Sequence, residues 1–478
     1  MTQKYIIGVD GGSQSSKVII YDLKGNSVST GKQMLKPMSL PNPGIAEHPD
    51  DDLWESLILA FKEAMVGFPG KKEDIIGIGL CTIRFCRCLL KEDGTLASPA
   101  ISWMDERVSK PYVHTNPEVS FVTTSSGYIT HRLTGNFNDS AANYQGMWPI
   151  DTDTWDWSKD DKVFDQFNIP RDMLFTLQNP GTILGHITKD IEEKLGIPSD
   201  IPVVATANDK AVEALGAGLL SENKALISLG TYIAGMIHGQ ENVTDSEKFW
   251  TNFAAIPERY LYESNGIRRG MWTVSWFKEL FGEGLVQQAK ERNISPEELL
   301  NQEAVESVPA GSDGLMTVLE WLAPSEEPFK KGMMIGFDGR HTRAHMYHSI
   351  LEAIALTMKA NMDAMCKEMK TELKEIVLTG GGSNSDLMMQ IFANVFGLAT
   401  TRNIVNGSAS LGSAISTTVA LGIYSTFEEA AEQMVDVRDT FTPEQDKHVF
   451  YNRMNQEVYQ HITAYTDGIL KKAHSFFR

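Results

Sequence analysis

The sequence predicts an α/β protein made of two similar domains. Short apolar runs alternate with longer helical patterns along the whole chain. A strand–glycine–hydroxyl–strand segment near the start, IIGVDGGSQSSKVIIYD, has a fainter partner in ALISLGTYIAGMIHG at residues 225–239. The length of 478 residues also exceeds what one hydrophobic core accommodates.

Taken in order, strands are expected at 5–9, 17–21, 75–80, 87–90, 203–206, 225–229 and 376–379. Helices are expected at 51–65, 210–216, 346–368, 385–396 and 408–421, with amphipathic helix also at 427–435 and 450–470. The polar stretch 221–224 marks a boundary between a domain of residues 1–221 and one of 222–478, the last helix packing back on the first domain. No low-complexity segment or charge block interrupts the pattern.

Composition narrows the function classes. Hydrophobic residues make up 42% and charged residues 22%, the proportions of a soluble globular protein. A net charge of −19 argues against binding a nucleic-acid backbone, which relies on clustered Lys and Arg. The opening MTQKYIIGVD is too short an apolar run for a signal segment, and no later run approaches a membrane span, so a cytoplasmic location with no membrane partner is expected. Four cysteines do not make a disulfide framework. Cys81, Cys86 and Cys88 crowd into LCTIRFCRCLL without metal-type spacing, and read as a buried strand.

The opening motif suits phosphate. Gly11 and Gly12 leave backbone N–H groups unobstructed, Ser13 and Ser15 add hydroxyls, and Lys17 adds charge. Asp10, at the strand end, could hold hydrated Mg²⁺. The plainer reading is an ordinary glycine-rich hairpin. EIVLTGGGSNSDLMMQ runs a strand into Gly380, Gly381 and Gly382 and then a serine N-cap, placing a helix N-terminus where an anionic group can approach. In VVATANDKAVEALGAG, Asn208 and Asp209 follow a strand and precede a helix. Position alone leaves Asp209 equally a helix cap or a catalytic base. Neither a P-loop, a Rossmann fingerprint nor the protein-kinase motifs are present. His341 and His345 in HTRAH have zincin spacing but no following glutamate, and read as solvated polar residues. The aromatic run WPIDTDTWDW reads as core.

The combination D-x-G-S-x-S-x-K, N-D-x-A-x-x-A-x-G-A-G, S-L-G-T and T-G-G-G-S, in that order, resembles the FGGY family of carbohydrate kinases, within the actin/hexokinase/heat-shock ATPase superfamily. ASPAISWMDER, YITHRLTG, GSDGLMTVLEWLAPSEEP and HSILEAIALTMKANMDAM are similar to further family segments, so the resemblance spans nearly the whole chain. It implies two ribonuclease-H-like, actin-like ATPase domains flanking a deep cleft. It also implies ATP-dependent phosphorylation of a small sugar, ketose or polyol, with ATP and Mg²⁺ as cofactors. Carried over by position, Asp10 would face the metal, and Gly12, Ser13, Ser15 and Lys17 would form the first phosphate turn. Gly230 and Thr231 would form the second, and Gly380, Gly381, Gly382 and Ser385 would lie against the nucleotide. Asp209 would be the general base and Asn208 would orient the acceptor, with Arg84, Phe85, Trp103 and Asp105 around the sugar. A homodimer is compatible with it. The rival readings are a non-catalytic ATP-binding conformational switch of the same superfamily and a catalytically impaired kinase homologue.

Three departures stand out. The chain between Arg107 and Asn116 is much shorter than in most members, which insert helix there. Met271 and Trp272 occupy positions where the family favours small residues near the nucleotide, and CTIRFCRC lacks the usual sugar-recognition cores.

Overall fold

The computed structural model describes residues 3–324, 326–405 and 407–477. The first half is built on a sheet of six strands in the order Ile183–His186, Pro202–Ala205, Ile75–Thr82, Tyr5–Gly11, Ser15–Asp22, Ser27–Met34. The strands around Tyr5–Gly11 are rich in Ile and Val and almost wholly buried, as expected of a sheet covered on both faces. The last three in the order form an antiparallel meander, and Tyr5–Gly11 pairs in parallel with Ile75–Thr82, which pairs in parallel with Pro202–Ala205.

The second sheet repeats this plan. Lys224–Leu229, Ile233–Gly239 and Tyr260–Ser264 form the meander, and Glu375–Thr379 and Ala399–Asn403 extend it in parallel on the other side. Phe249–Phe253 and Val437–Phe441 close the two edges, giving seven strands. The faint repeat in the sequence is therefore a repeat of topology. Both members of it are the first hairpin of their sheets.

Two equivalent helices join the halves. Asp209–Gly216 follows Pro202–Ala205, and Ser408–Ala420 follows Ala399–Asn403. They pack on each other, and Ser408–Ala420 also lies on strands Tyr5–Gly11 and Ile75–Thr82 of the first sheet. Backbone meets backbone at the crossing: a Cβ on Gly216 would stand 1.9 Å from the Ser408 carbonyl oxygen, and one on Gly412 2.0 Å from that of Val212. Only glycine permits this approach.

The chain terminus differs from the sequence-based expectation. The single helix expected at 450–470 is two, Gln445–Glu457 and Ile462–His474, because Val458 leaves helical geometry (φ −127°, ψ −64°). The first of these packs on Arg343–Met369 and Asp386–Phe396. In the second, Lys471 lies over the Phe329 ring, so the last helix sits on its own half; the returning helix is Ser408–Ala420. His341 and His345 are likewise buried rather than solvated. His345 closes a capping box with Thr342 at the start of Arg343–Met369 and approaches Asp313 at 3.3 Å. The aromatic run is core: Trp155 stacks on Phe253 of the second half at 4.0 Å. Among the described residues no helix is long and apolar enough to cross a membrane.

Candidate active site

Asp10 is the penultimate residue of its strand and pairs across the hairpin with Lys17. Strand alternation puts Asp10 and Lys17 on the face opposite Val9 and Val18, and both stand at the sheet end, where the chain bends through Gly12–Ser15. The Gly12 N–H is spent within the turn, donating to the Ser15 carbonyl at 3.0 Å, while Gln14 is exposed and Ser13, Ser15 and Lys17 are half-buried. Burial pushes the Asp10 carboxyl up to about 6. Lys17 opposes this, and the neighbouring carboxylates Asp209 and Glu213 reinforce it.

Asp209 opens helix Asp209–Gly216 at the carboxyl end of the first sheet, and its cap is its neighbour. Asn208 Oδ1 accepts from the N–H groups of Lys210 and Ala211, both at 3.1 Å, while its amide reaches the Ala142 carbonyl. The capping function that sequence leaves open between base and cap thus belongs to Asn208. Its side chain is engaged in doing so. Asp209 is free of that duty, and its Oδ1 is buried without a hydrogen-bond partner. Burial raises its pKa, and the cations Arg84 and Lys210 oppose the rise.

Behind Asp209 lies a cross-half network absent from the sequence reading. Lys210 Nζ donates to Glu213 Oε2 at 2.9 Å and to Ser228 Oγ at 3.0 Å. Thr379 Oγ1 donates to Glu213 Oε1 at 2.7 Å. Ser228 and Thr379 face each other across the parallel strands of the second sheet.

The second sheet contributes two abutting turns. Gly230 and Thr231 follow strand Lys224–Leu229, and their carbonyls accept the first N–H groups of helix Gly270–Glu291, from Met271 at 3.1 Å and Gly270 at 2.8 Å. Gly380 follows Glu375–Thr379 with φ +81°, a conformation glycine adopts readily, and a Cβ there would stand 2.6 Å from the Leu229 carbonyl oxygen. Gly381 is open, while Gly382 lies against Leu229 and the Met271 sulfur. Met271 is therefore packed beneath the glycine turn, and Trp272 takes the Arg269 guanidinium on its ring. Ser385 caps helix Asp386–Phe396 and donates to Asn301.

Arg84 reaches across to the second half. Its guanidinium meets Glu263 through both carboxylate oxygens, at 3.0 and 3.2 Å, and sits between the rings of Phe85 and Trp250. Phe85 has φ +64°, an uncommon backbone for an aromatic residue, of the kind that collects at functional sites. Burial disfavours the Arg84 charge, but Glu263 and Asp209 outweigh it and raise its pKa. Trp103 is half exposed, whereas Asp105 is buried, its oxygens taken by the Ala46 N–H and by Arg107. Arg87 holds the carbonyls of Arg107 and Val108, and the shortened segment opens with one turn of 3₁₀ helix, Glu106–Ser109, and continues without regular structure. Cys81, Cys86 and Cys88 are buried thiols whose pKa values burial raises.

Comparison with known proteins agrees with this architecture. The profile for the N-terminal domain of the FGGY family of carbohydrate kinases matches residues 5–115 and 110–216, and that for its C-terminal domain matches residues 225–421. A protein of Escherichia coli K12 described as the uncharacterized sugar kinase YgcE is 55% identical over 99% of this chain and 96% of its own length. A xylulose kinase of Staphylococcus epidermidis is 25% identical over 98% of each chain. The crystal structure of xylulose kinase from Rhodospirillum rubrum superposes with a TM-score of 0.83 at 20% identity, over 98% of this chain and all of the other, a likeness of fold. The chain belongs to the FGGY family of carbohydrate kinases, enzymes that transfer a phosphoryl group to an alcohol.

Proposed function

We propose that this chain transfers the γ-phosphoryl group of ATP to a hydroxyl of a small sugar, ketose or polyol, with Asp209 as the general base. The observation that carries the reading is the state of Asp209. Its carboxylate oxygen is buried and unpartnered at a strand's carboxyl end, relieved of capping by Asn208 and close to Arg84. A buried, unsatisfied carboxylate is costly, and it persists where a ligand supplies the missing partner. An acceptor hydroxyl is such a partner. The raised pKa makes the carboxylate a stronger base toward that proton.

The charges around it support the same reading. Burial raises the Asp209 pKa, and Arg84 and Lys210 oppose that rise. Asp10 is a second carboxyl in the same mouth, its pKa raised by burial and by the neighbouring carboxylates Asp209 and Glu213 against the opposing charge of Lys17. Among the described residues no three His, Cys, Asp or Glu side chains converge on one point. A cation here would keep mostly water and phosphate ligands, as Mg²⁺ does. Asp10 would hold it, and bound Mg²⁺ would neutralise the phosphate oxygens during transfer. Ser13, Ser15 and Lys17 from the first half and the turns Gly230–Thr231 and Gly380–Gly382 from the second would position the nucleotide. Phe85, Trp103 and Trp250 would give the acceptor its apolar walls, and closure of the halves would exclude water.

A panel of ketoses, polyols and aldonates with Mg·ATP tests this. At least one acceptor should raise the melting temperature and drive ADP formation. A chain that binds Mg·ATP but consumes it at one rate with every acceptor and with none is a switch rather than a kinase.

A further inference from the structure

The network behind Asp209 has a geometry that a local helix pair would not need. Lys210 and Glu213 are on the base-bearing helix of the first half, with their side chains mostly buried. Their remaining partners, Ser228 and Thr379, are buried in the second half, one residue before Leu229 and at the very end of Glu375–Thr379. These two strands run directly into Gly230–Thr231 and Gly380–Gly382. One ion pair thus touches the roots of both glycine turns while adjoining Asp209 in sequence. We propose that Lys210 and Glu213 are positioning residues, a strut that fixes the nucleotide-binding turns of the second half relative to the base of the first. The inference rests on the kinase reading and goes beyond it by assigning these residues.

Alternatives for the pair are weaker. An i, i+3 ion pair on an exposed helix contributes little and has no need of two buried hydroxyls from another sheet. A buried ion pair is also weak evidence of stabilisation, since apolar replacement of both partners is often neutral. That second fact provides the discriminating experiment. Lys210→Met alone leaves Glu213 uncompensated, and Glu213→Leu alone leaves Lys210 so; both single variants should melt earlier. The double variant Lys210→Met/Glu213→Leu should recover melting temperature. If the pair is a strut, the double variant should still bind Mg·ADP about tenfold more weakly than the unaltered chain by calorimetry, because Ser228 and Thr379 no longer have their cross-half partners. Lys210→Arg, which keeps charge and reach, should restore most of the affinity. Recovery of Mg·ADP affinity together with melting temperature in the double variant would make the pair merely structural and overturn the proposal. Should the double variant fail to fold, Ser228→Ala/Thr379→Val, which removes both cross-half partners and leaves the ion pair, carries the test: affinity equal to that of the unaltered chain overturns the strut. Failure of the unaltered chain to bind Mg·ADP would overturn the kinase reading and the strut with it.

Discussion

Asp10 is a side chain whose burial weighs on stability at neutral pH. Its carboxyl is raised from 3.8 to about 6 by burial, reinforced by Asp209 and Glu213. A raised acid favours the folded state while protonated, so its contribution is complete below pH 3.8 and is lost as pH climbs through about 6. Without nucleotide, Asp10→Asn should therefore melt higher than the unaltered chain at pH 7, and the difference should vanish near pH 4. A lower melting temperature for Asp10→Asn at pH 7 would mean that Asp10 supports the fold instead. At this scale the sequence was informative about residue type and poor on partners. Asp10, Lys17 and the glycines follow from one local motif. Arg84 with Glu263, far apart in the chain, leaves no periodic trace, and Lys210 with Glu213 reads locally as an ordinary helix-surface pair. The choice between cap and base at Asn208 and Asp209 turns on one residue of helix register, finer than sequence patterns resolve.

Among elements, the crossing of Asp209–Gly216 with Ser408–Ala420 sets the distance between the halves. Gly412→Ala would press a methyl against the Val212 carbonyl, backbone that cannot rotate away. A loss of about 3 kcal/mol is expected from such overpacking, read as a lower denaturant midpoint, and a change below about 0.5 kcal/mol would show that the helices can slide apart. The elements foreseen from sequence were those with their own strong pattern: the first hairpins, the long helix at 343–369 and the crossing helices. Those not foreseen owe their form to neighbours. Helix Gly270–Glu291 starts where Gly230 and Thr231 offer carbonyls and bends at Gly282 (φ +51°), and its internal glycines mask the helical pattern. The break at Val458 lies inside a continuous amphipathic pattern, so only the packing of the two terminal helices reveals it.

For the whole molecule, duplication explains why so much was visible. Each sheet repeats one order of strands, and each ends its first strand in a glycine–hydroxyl turn, so the same local signal occurs twice. The candidate site lies where the two halves meet, and the cross-half contacts Arg84 to Glu263 and Lys210 to Ser228 are products of that meeting. A general base at Asp209 would stand on this seam, and Asp209→Asn tests it most directly. Because Asn208 supplies the cap, neither Asp209→Asn nor Asp209→Ala should cost helix stability. Once an acceptor is identified, the measurement is acceptor-dependent ADP formation by Asp209→Asn beside its Mg·ADP affinity. With Asp209 as the base, turnover should fall about 10²–10⁴-fold with Mg·ADP affinity kept within a few-fold. Turnover within a few-fold of the unaltered chain would contradict that role.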